Sequence, residues 1–404
     1  MSYLTPGNLA AAVGLAASLA WLGLLVHLAI HHRMAISLAD LPDVEPADGW
    51  PRLAVIVAAR DEEAMIGRAA RSLLAQDYPA LEVIAVDDRS ADRTGAILDG
   101  LAREDGRLRV VHVVDLPVGW LGKTHALQRG ASATDAAWLL FTDADVIVAP
   151  GVLRRAVALA CRDRLDHLIV GPDTLSETFG ERIFLALFAY LLAFRAPVGR
   201  IVDRASRAYF GVGAFNLVRA EAFRDIGGLG RVALSVDDDM RLGQALKYAG
   251  YRNGFILGDR AVAVRWQVGL GGLVRGLEKN FFALVDFRPG PAILAAAAIL
   301  ALGAGPILGL FVGPWWSRAV CGLGVLATMA LLGLASFLTR IRWYYALTLP
   351  ISGVVVSYAL LRSMTLALRR RGIAWRGTTY PLQQLRDHVK LRNHWLNEVW
   401  YSTR

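Results

Sequence analysis

Residues 9–30 are apolar apart from Ser18 and His27, and these 22 residues are enough to cross a bilayer as a helix. Three more runs of this kind, residues 292–312, 319–338 and 344–366, lie near the C-terminus. Nothing else in the chain constrains its fold as strongly. Lipid offers no partner to a backbone N–H or C=O, so each run is expected to be a helix. Gly303, Gly305, Pro306 and Pro350 fall inside these runs, and spans tolerate them. Any sheet must therefore come from the polar stretch between. The chain is 55% hydrophobic with a positive mean hydropathy, too apolar for an ordinary soluble enzyme, and the excess sits at the two ends.

Charge orients the first run. No Lys or Arg precedes it and His31-His32-Arg33 follows, so the positive-inside rule places the next domain in the cytoplasm. The expectation is a multi-pass protein of the inner (plasma) membrane. A cleaved signal peptide fits poorly, because a basic n-region is missing and the run is too long. The C-terminal runs do not close neatly. Three crossings would put Arg369-Arg370-Arg371 outside, against the charge rule, and the middle loop with Arg340 and Arg342 also prefers the inside. One run is then re-entrant or interfacial, and the charges leave open which. The net charge of +9 is concentrated beside the spans, a pattern suited to anionic lipid rather than to nucleic acid. Cys161 and Cys321 have neither metal-ligand nor disulfide spacing, consistent with a reducing compartment.

Residues 34–51, with Pro42, Pro46, Gly49 and Pro51, read as a linker. After it, short apolar runs alternate with helical patterns. The first strand runs to Ala58-Ala59 and ends in Arg60-Asp61-Glu62-Glu63, with Glu62 and Glu63 opening a helix that reaches Gln76. Acidic residues suit a helix start for dipole reasons alone. A second strand ends in Asp87-Asp88-Arg89-Ser90-Ala91-Asp92; Asp92 suits a helix cap, whereas Asp87 and Asp88 have no such structural excuse. Residues 108–114 form a third strand. Strand–helix repetition at this spacing implies a right-handed parallel α/β unit.

The loop Gly119-Trp120-Leu121-Gly122-Lys123-Thr124 invites comparison with a P-loop, but Pro117 stands where that pattern needs Gly. What remains is Lys123 at a Gly-hinged helix start, well placed for a phosphate. The fourth strand, Trp138-Leu139-Leu140-Phe141, runs into Thr142-Asp143-Ala144-Asp145. Strand alternation would put Asp143 and Asp145 on one side, where two carboxylates can hold a hard divalent cation such as Mg2+ or Mn2+. A lone Asp-x-Asp is also a common solvated turn. Pro150 is expected to start the next helix. The stronger argument is convergence, since the C-terminal ends of parallel strands share one rim and all these polar groups fall there.

The segment from Leu53 to Val285 resembles the inverting family 2 glycosyltransferases of the GT-A fold. Asp61-Glu62 stands at the family's Asn-Glu pair, Asp87 to Asp92 match its Asp-Asp-x-Ser-x-Asp, and Gly122 to Leu127 match its Gly-Lys-x-x-Ala-Leu. Asp143 and Asp145 form its Asp-x-Asp pair. The resemblance implies an α/β, Rossmann-like, mostly parallel sheet domain with transmembrane helices at both ends. Ala59, Arg60, Glu62, Asp87, Asp88, Lys123, Asp143 and Asp145 would bind a nucleotide-sugar, a UDP-sugar above others. Asp145, with Asp143, would hold the metal. Residues 211–219 resemble the family's acceptor-side strand, which contains Gly213. Ser235 to Leu242 resemble its Thr-Glu-Asp motif; counting eleven back from Gly250 selects Asp239 as base, with Asp238 in the Glu position. The same three carboxylates, Asp237 to Asp239, would also suit a plain helix start. Processive members carry Gln-x-x-Arg-Trp; Arg265-Trp266 is present, but Val262 replaces the Gln. Residues 274–282, containing Lys279, resemble the membrane-bound subgroup near hopanoid and carotenoid biosynthesis, and hopene-associated glycosyltransferases in particular. Arg265, Trp266 and Lys279 would face the acceptor.

The expected domains are an anchor at 1–33, a linker at 34–51, a cytoplasmic catalytic domain at 52–288, spans at 289–368 and a basic tail at 369–404. Residues 183–194 are too short to span, so they form either a core helix or an interfacial one flanked by Arg182 and Arg195. The functional expectation is metal-dependent transfer of a sugar to a membrane lipid, with a hopanoid or other isoprenoid as candidate acceptor. The alternatives are a processive polysaccharide synthase, a nucleotidyltransferase and a transporter. Polar residues at strand ends rather than inside the spans disfavour the last.

Overall fold

A computed structural model describes residues 5–31, 37–195, 198–339 and 341–403. The chain forms two compact units, and both are discontinuous in sequence. One comprises Ala35–Thr174, Val198–Arg265 and Arg376–Arg404; the other comprises Met1–Met34, Leu175–Pro197 and Trp266–Trp375.

The first unit is built on a seven-stranded sheet. Its strands are β1 (Leu53–Ala59), β2 (Leu81–Asp88), β3 (Leu108–Val113), β4 (Trp138–Asp143), β5 (Ile147–Val148), β6 (His167–Gly171), β7 (Asp173–Thr174), β8 (Asn216–Arg219), β9 (Asn253–Leu257) and β10 (Val262–Val264). The sheet order is β3-β2-β1-β4-β8-β6-β9, while β5, β10 and β7 form a small second sheet. The first four strands are parallel. β1, β2 and β4 are buried along almost their whole length, with Val55, Ile56, Val83, Ile84 and Leu140 fully buried, whereas the edge strand β3 exposes Arg109 and His112. Register then decides the rim. Ala59 stands beside Asp87 and Ala58 beside Asp143, so the polar ends of β1, β2 and β4 finish level. Strand β8 runs antiparallel between β4 and β6, making the sheet mixed, as the GT-A expectation of a mostly parallel sheet allows.

Several boundaries differ from expectation, each for a local reason. Glu62 and Glu63 do not open the first helix, which starts at Ile66 (Ile66–Leu74). Their backbone N–H groups instead donate to Thr94 Oγ1 (2.8 Å) and Asp92 Oδ2 (3.0 Å), and Asp61 N–H donates to Ser90 Oγ (3.1 Å). The loops after β1 and β2 are thus tied together. Pro150 does not start the next helix; Gly151 caps Val152–Arg162 in a left-handed conformation. Asp145 lies in a turn beyond β4, so strand alternation does not describe its direction. The acceptor-side strand is confined to Asn216–Arg219.

The ends of this unit also depart from the expected domains. Within the linker, Leu38 and Leu41 enter the main core and Ser37 Oγ donates to Asp259 Oδ2 (3.0 Å). The expected basic tail is largely a helix, Leu382–Ser402, whose Leu396 and Trp400 pack in the second core cluster. Trp400 meets Tyr248 at 5.0 Å between ring centroids.

Among the described residues, the second unit contains four helices long and apolar enough to cross a membrane: Pro6–Ile30, Pro289–Gly309, Trp315–Leu334 and Trp343–Arg369. The last begins with a 3-10 stretch, Trp343–Thr348, before the α-helix Leu349–Arg369 with Pro350 in its first turn. Small residues let these helices approach closely: a Cβ on Gly14 would meet Gly305 O at 2.7 Å, and one on Gly303 would meet Leu349 O at 2.5 Å. Residues 183–194 belong to the helix Phe179–Arg195. Phe184 is fully buried, Ser352 Oγ donates to Ile183 O (2.7 Å), and Tyr190 packs edge-on to Trp21. The core-helix reading of this segment fits these contacts; the interfacial one does not. The charges at His32, Arg33 and Arg340, on which the topology argument leaned, lie outside the described residues. The apolar helices themselves mark the chain as membrane-associated.

Candidate functional site

The rim of the parallel sheet gathers most of the expected residues. A small recess is lined by Lys123, Asp143, Gly213, Asn216, Asp238 and Asp239, among others. Lys123 sits in the first turn of the helix Gly122–Ala131. Its Nζ pairs with Asp143 Oδ1 at 2.7 Å and Asp238 Oδ2 at 3.5 Å. Burial opposes the charge on Lys123, but Asp143, Asp238 and Asp239 outweigh it and hold the ammonium above its ordinary range. One cation therefore joins the end of β4 to the start of the helix Asp238–Tyr248.

Backbone without side chains makes this closeness possible. A Cβ on Gly213 would stand 2.3 Å from Asp143 Oδ2, and one on Gly122 would stand 2.2 Å from Asp88 Oδ2. Both are far inside contact distance, so glycine is the residue each position accepts.

The three consecutive carboxylates have separate roles in the structure. Asp237 precedes the helix and pairs with Arg241 Nε at 2.9 Å. Asp238 pairs with Lys123. Asp239 accepts a hydrogen bond from Met240 N–H (2.7 Å) and lines the recess. Burial, then the neighbouring Asp238, push its carboxyl well above the usual carboxylate range. A carboxylate held in this way is suited to accept a proton.

On the β1 side, Asp145 is pushed up to about 6 by burial, then by Asp143 and Glu62. Glu62 is itself raised, burial outweighing the opposing charge of Arg376. Negative charge is in surplus here. Among the described residues, no group of three or more His, Cys, Asp and Glu could hold a metal ion by itself.

The β2 end is fully partnered. Asp87 meets His112 Nδ1 (3.0 Å) and accepts from Ser90 N–H (3.3 Å). Asp88 receives the Arg89 guanidinium through Nε (2.8 Å) and Nη2 (3.0 Å), with Arg60 at 3.9 Å. Ala59 ends β1 and is buried beside Asp87.

The expected acceptor-side residues do not gather in the recess. Gly213 lines it; Arg265 follows β10 in the same unit and does not. Trp266 and Lys279 belong to the apolar unit, where Trp266 packs on Phe188 (4.9 Å) and Lys279 Nζ sits 4.1 Å over the Trp375 ring. Conversely, sequence reasoning missed Asn216, His112, Arg376 and Tyr380. Arg376 donates to Asp61 O (3.2 Å) and to the Glu62 carboxylate, and Tyr380 accepts from Gly122 N–H (3.2 Å). The turn pair Arg376-Gly377 was the only local signal, and it does not say where the turn packs.

Residues 54–227 match the family model described as Glycosyl transferase family 2. Among curated proteins, the chain is 32% identical over 200 residues to a beta-monoglucosyldiacylglycerol synthase of Synechocystis, covering 48% of this chain and 40% of that protein. The chain thus spans less than half the length of that relative. It is 28% identical over 267 residues to a 4,4'-diaponeurosporenoate glycosyltransferase of Staphylococcus aureus, covering 64% of this chain and 68% of that one. Among solved structures, a mannosyltransferase from Pyrobaculum calidifontis in complex with GDP-Man and Mn2+ shares the fold, with a TM-score of 0.52 at 19% identity over 90% of this chain and 99% of its own. Sheet order, rim and motif order agree with that match: residues 54–227 are similar to glycosyl transferase family 2, on an α/β fold of the GT-A type.

Proposed function

We propose that the chain is an inverting, metal-dependent glycosyltransferase that moves a sugar from a nucleotide-sugar to a membrane lipid. The observation that carries the reading is the recess in which Lys123 bridges Asp143 and Asp238 while Asp239 is held ready for a proton. Asp239 removes the proton of the acceptor hydroxyl, whose oxygen attacks the anomeric carbon from the face opposite the leaving diphosphate. The proton ends on Asp239 Oδ, and a single displacement inverts the centre. Asp238 supports the base by keeping Lys123 in place.

The residues present fit a divalent cation. Asp145 carries charge that its surroundings do not compensate, and Asp143 stands next to it. With no third protein carboxylate, histidine or thiol in a ligand set among the described residues, donor phosphate oxygens would complete the coordination. A cation held there would neutralise charge on the leaving diphosphate. Lys123 serves the same end as a fixed cation. Ala59, Arg60, Glu62, Asp87 and Asp88 form the nucleotide side of the rim, for a UDP-sugar in the first instance. Arg265, Trp266 and Lys279 are proposed for the acceptor on the resemblance alone.

Two observations support a lipid acceptor: the four apolar helices, and relatives whose names refer to a glucosyldiacylglycerol and to diaponeurosporenoate. A hopanoid or another isoprenoid lipid is the candidate. We place the α/β unit on the cytoplasmic side of the plasma membrane, by the charge that follows the first apolar run. The test is purified full-length protein with UDP- and GDP-sugars, Mn2+ or Mg2+, and lipid acceptors including a hopanoid and a diacylglycerol. Nucleoside diphosphate release with a single-sugar lipid product is expected. Release of inorganic diphosphate would mark a nucleotidyltransferase, and a ladder of long products a processive synthase; either outcome displaces this reading.

A further inference from the structure

The nucleotide side of the rim receives a residue from far along the chain. Arg376 is 314 positions from Glu62, yet its guanidinium reaches both the Glu62 carboxylate and, through Nη1 at 3.2 Å, the Asp61 carbonyl. The loop it touches is already tied on its other side: Asp61 Oδ1 accepts from Ala91 N–H (2.8 Å), and Ser90 and Thr94 accept from Asp61 and Glu62 N–H. Asp61 has φ 53° and Arg376 φ 47°, the left-handed region that side chains disfavour. Such conformations persist where the surroundings over-determine them. Four residues on, the buried Tyr380 accepts from Gly122 N–H, next to Lys123. The helix Leu382–Ser402 then anchors the segment, with Arg392 Nη1 donating to Ser235 Oγ (3.1 Å) just ahead of Asp237 to Asp239.

We propose that Arg376 is a positioning residue of the donor site, holding Glu62 and the loop after β1 in the shape that receives the nucleotide. The inference rests on the nucleotide-sugar reading and assigns part of donor binding to a segment that lies beyond the matched family region. A guanidinium is suited to this place because its planar, rigid fork fixes the directions of a carbonyl and a carboxylate contact together, whereas an ammonium is a point charge on a flexible stem.

The experiment uses full-length protein in detergent and UDP as calorimetric probe, comparing wild type, R376K, R376Q, E62Q and the R376Q/E62Q double variant. R376Q should weaken UDP binding about five- to tenfold and R376K less, since the pair is partly solvent-exposed. The double variant should bind no more weakly than E62Q alone, because Arg376 acts through Glu62. At saturating donor, kcat of R376Q should stay near wild type while KM for the donor rises. Wild-type UDP affinity in R376Q, or losses that multiply in the double variant, would overturn the proposal. If R376Q does not fold, R376K with E62Q carries the same cycle. Wild-type protein that binds neither UDP nor GDP would remove the donor reading and this inference with it, whereas binding that R376Q leaves intact sinks the inference alone.

Discussion

Asp239 concentrates the residue-scale chemistry. Burial and Asp238 raise its pKa, so the group becomes the base only after losing a proton it holds more tightly than a free carboxyl does. The rate at saturating substrate should therefore rise with pH through the raised value and level off above it. Asp239→Asn should lower kcat by about 10²–10⁴-fold with nucleotide binding near wild type. Linkage gives a second signature. Between the ordinary carboxylate pKa and the raised one, the folded state binds more protons than the unfolded state, so stability falls as pH rises across that window. Asn escapes this, so Asp239→Asn should melt higher than wild type above the window, and lose that advantage well below it. Loss of activity in Asp238→Asn, with Asp239→Asn still active, would move the base by one residue. Asp145 yields a separate test. Its carboxyl, pushed up to about 6, must be ionised to hold a cation. Mn2+ affinity measured by titration should fall as pH drops through about 6 and be flat above it; affinity unchanged across pH 5–7 would take Asp145 out of the metal site.

At the scale of elements, the site depends on close approach between β4, the helix that starts at Gly122 and the glycine segment before β8. Gly213→Ala would press a methyl group into the Asp143 carboxylate, 2.3 Å away on the present backbone. Turnover should drop by about tenfold or more for a displaced catalytic constellation, with a smaller change in melting temperature. Wild-type kcat in that variant would mean the segment yields freely. Lys123→Ala should weaken donor binding, since it removes the cation shared by Asp143 and Asp238. In the apolar unit, Phe184 is fully buried and its ring lies 5.5 Å from that of Phe188. Serine at both positions should lower thermal stability, and reduce lipid glycosylation and donor hydrolysis in parallel. A selective loss of lipid transfer with unchanged melting would restore the interfacial reading.

For the whole molecule, the sequence by itself determined the apolar helices and the parallel half of the sheet. Both follow from local patterns: runs of about 20 apolar residues suit a bilayer, and short buried runs between helical stretches suit a parallel sheet. It also determined where polar residues end those strands, so Glu62, Asp87, Asp88, Lys123, Asp143 and Asp239 could be named as candidates from spacing and resemblance. Tertiary structure decided the rest, because side-chain pairing depends on register and on contacts distant in sequence. Nothing local says that Lys123 spends its charge on Asp143 and Asp238. Local pattern likewise read residues 369–404 as a basic tail, without singling out residues 376–404. Their place in the α/β unit, with Arg376 on Glu62, Tyr380 on Gly122 and Trp400 on Tyr248, follows from how buried aromatic surface and charged forks find partners after the chain has folded back. Those partners lie 152 to 314 residues away, a separation that no periodicity in a local window records.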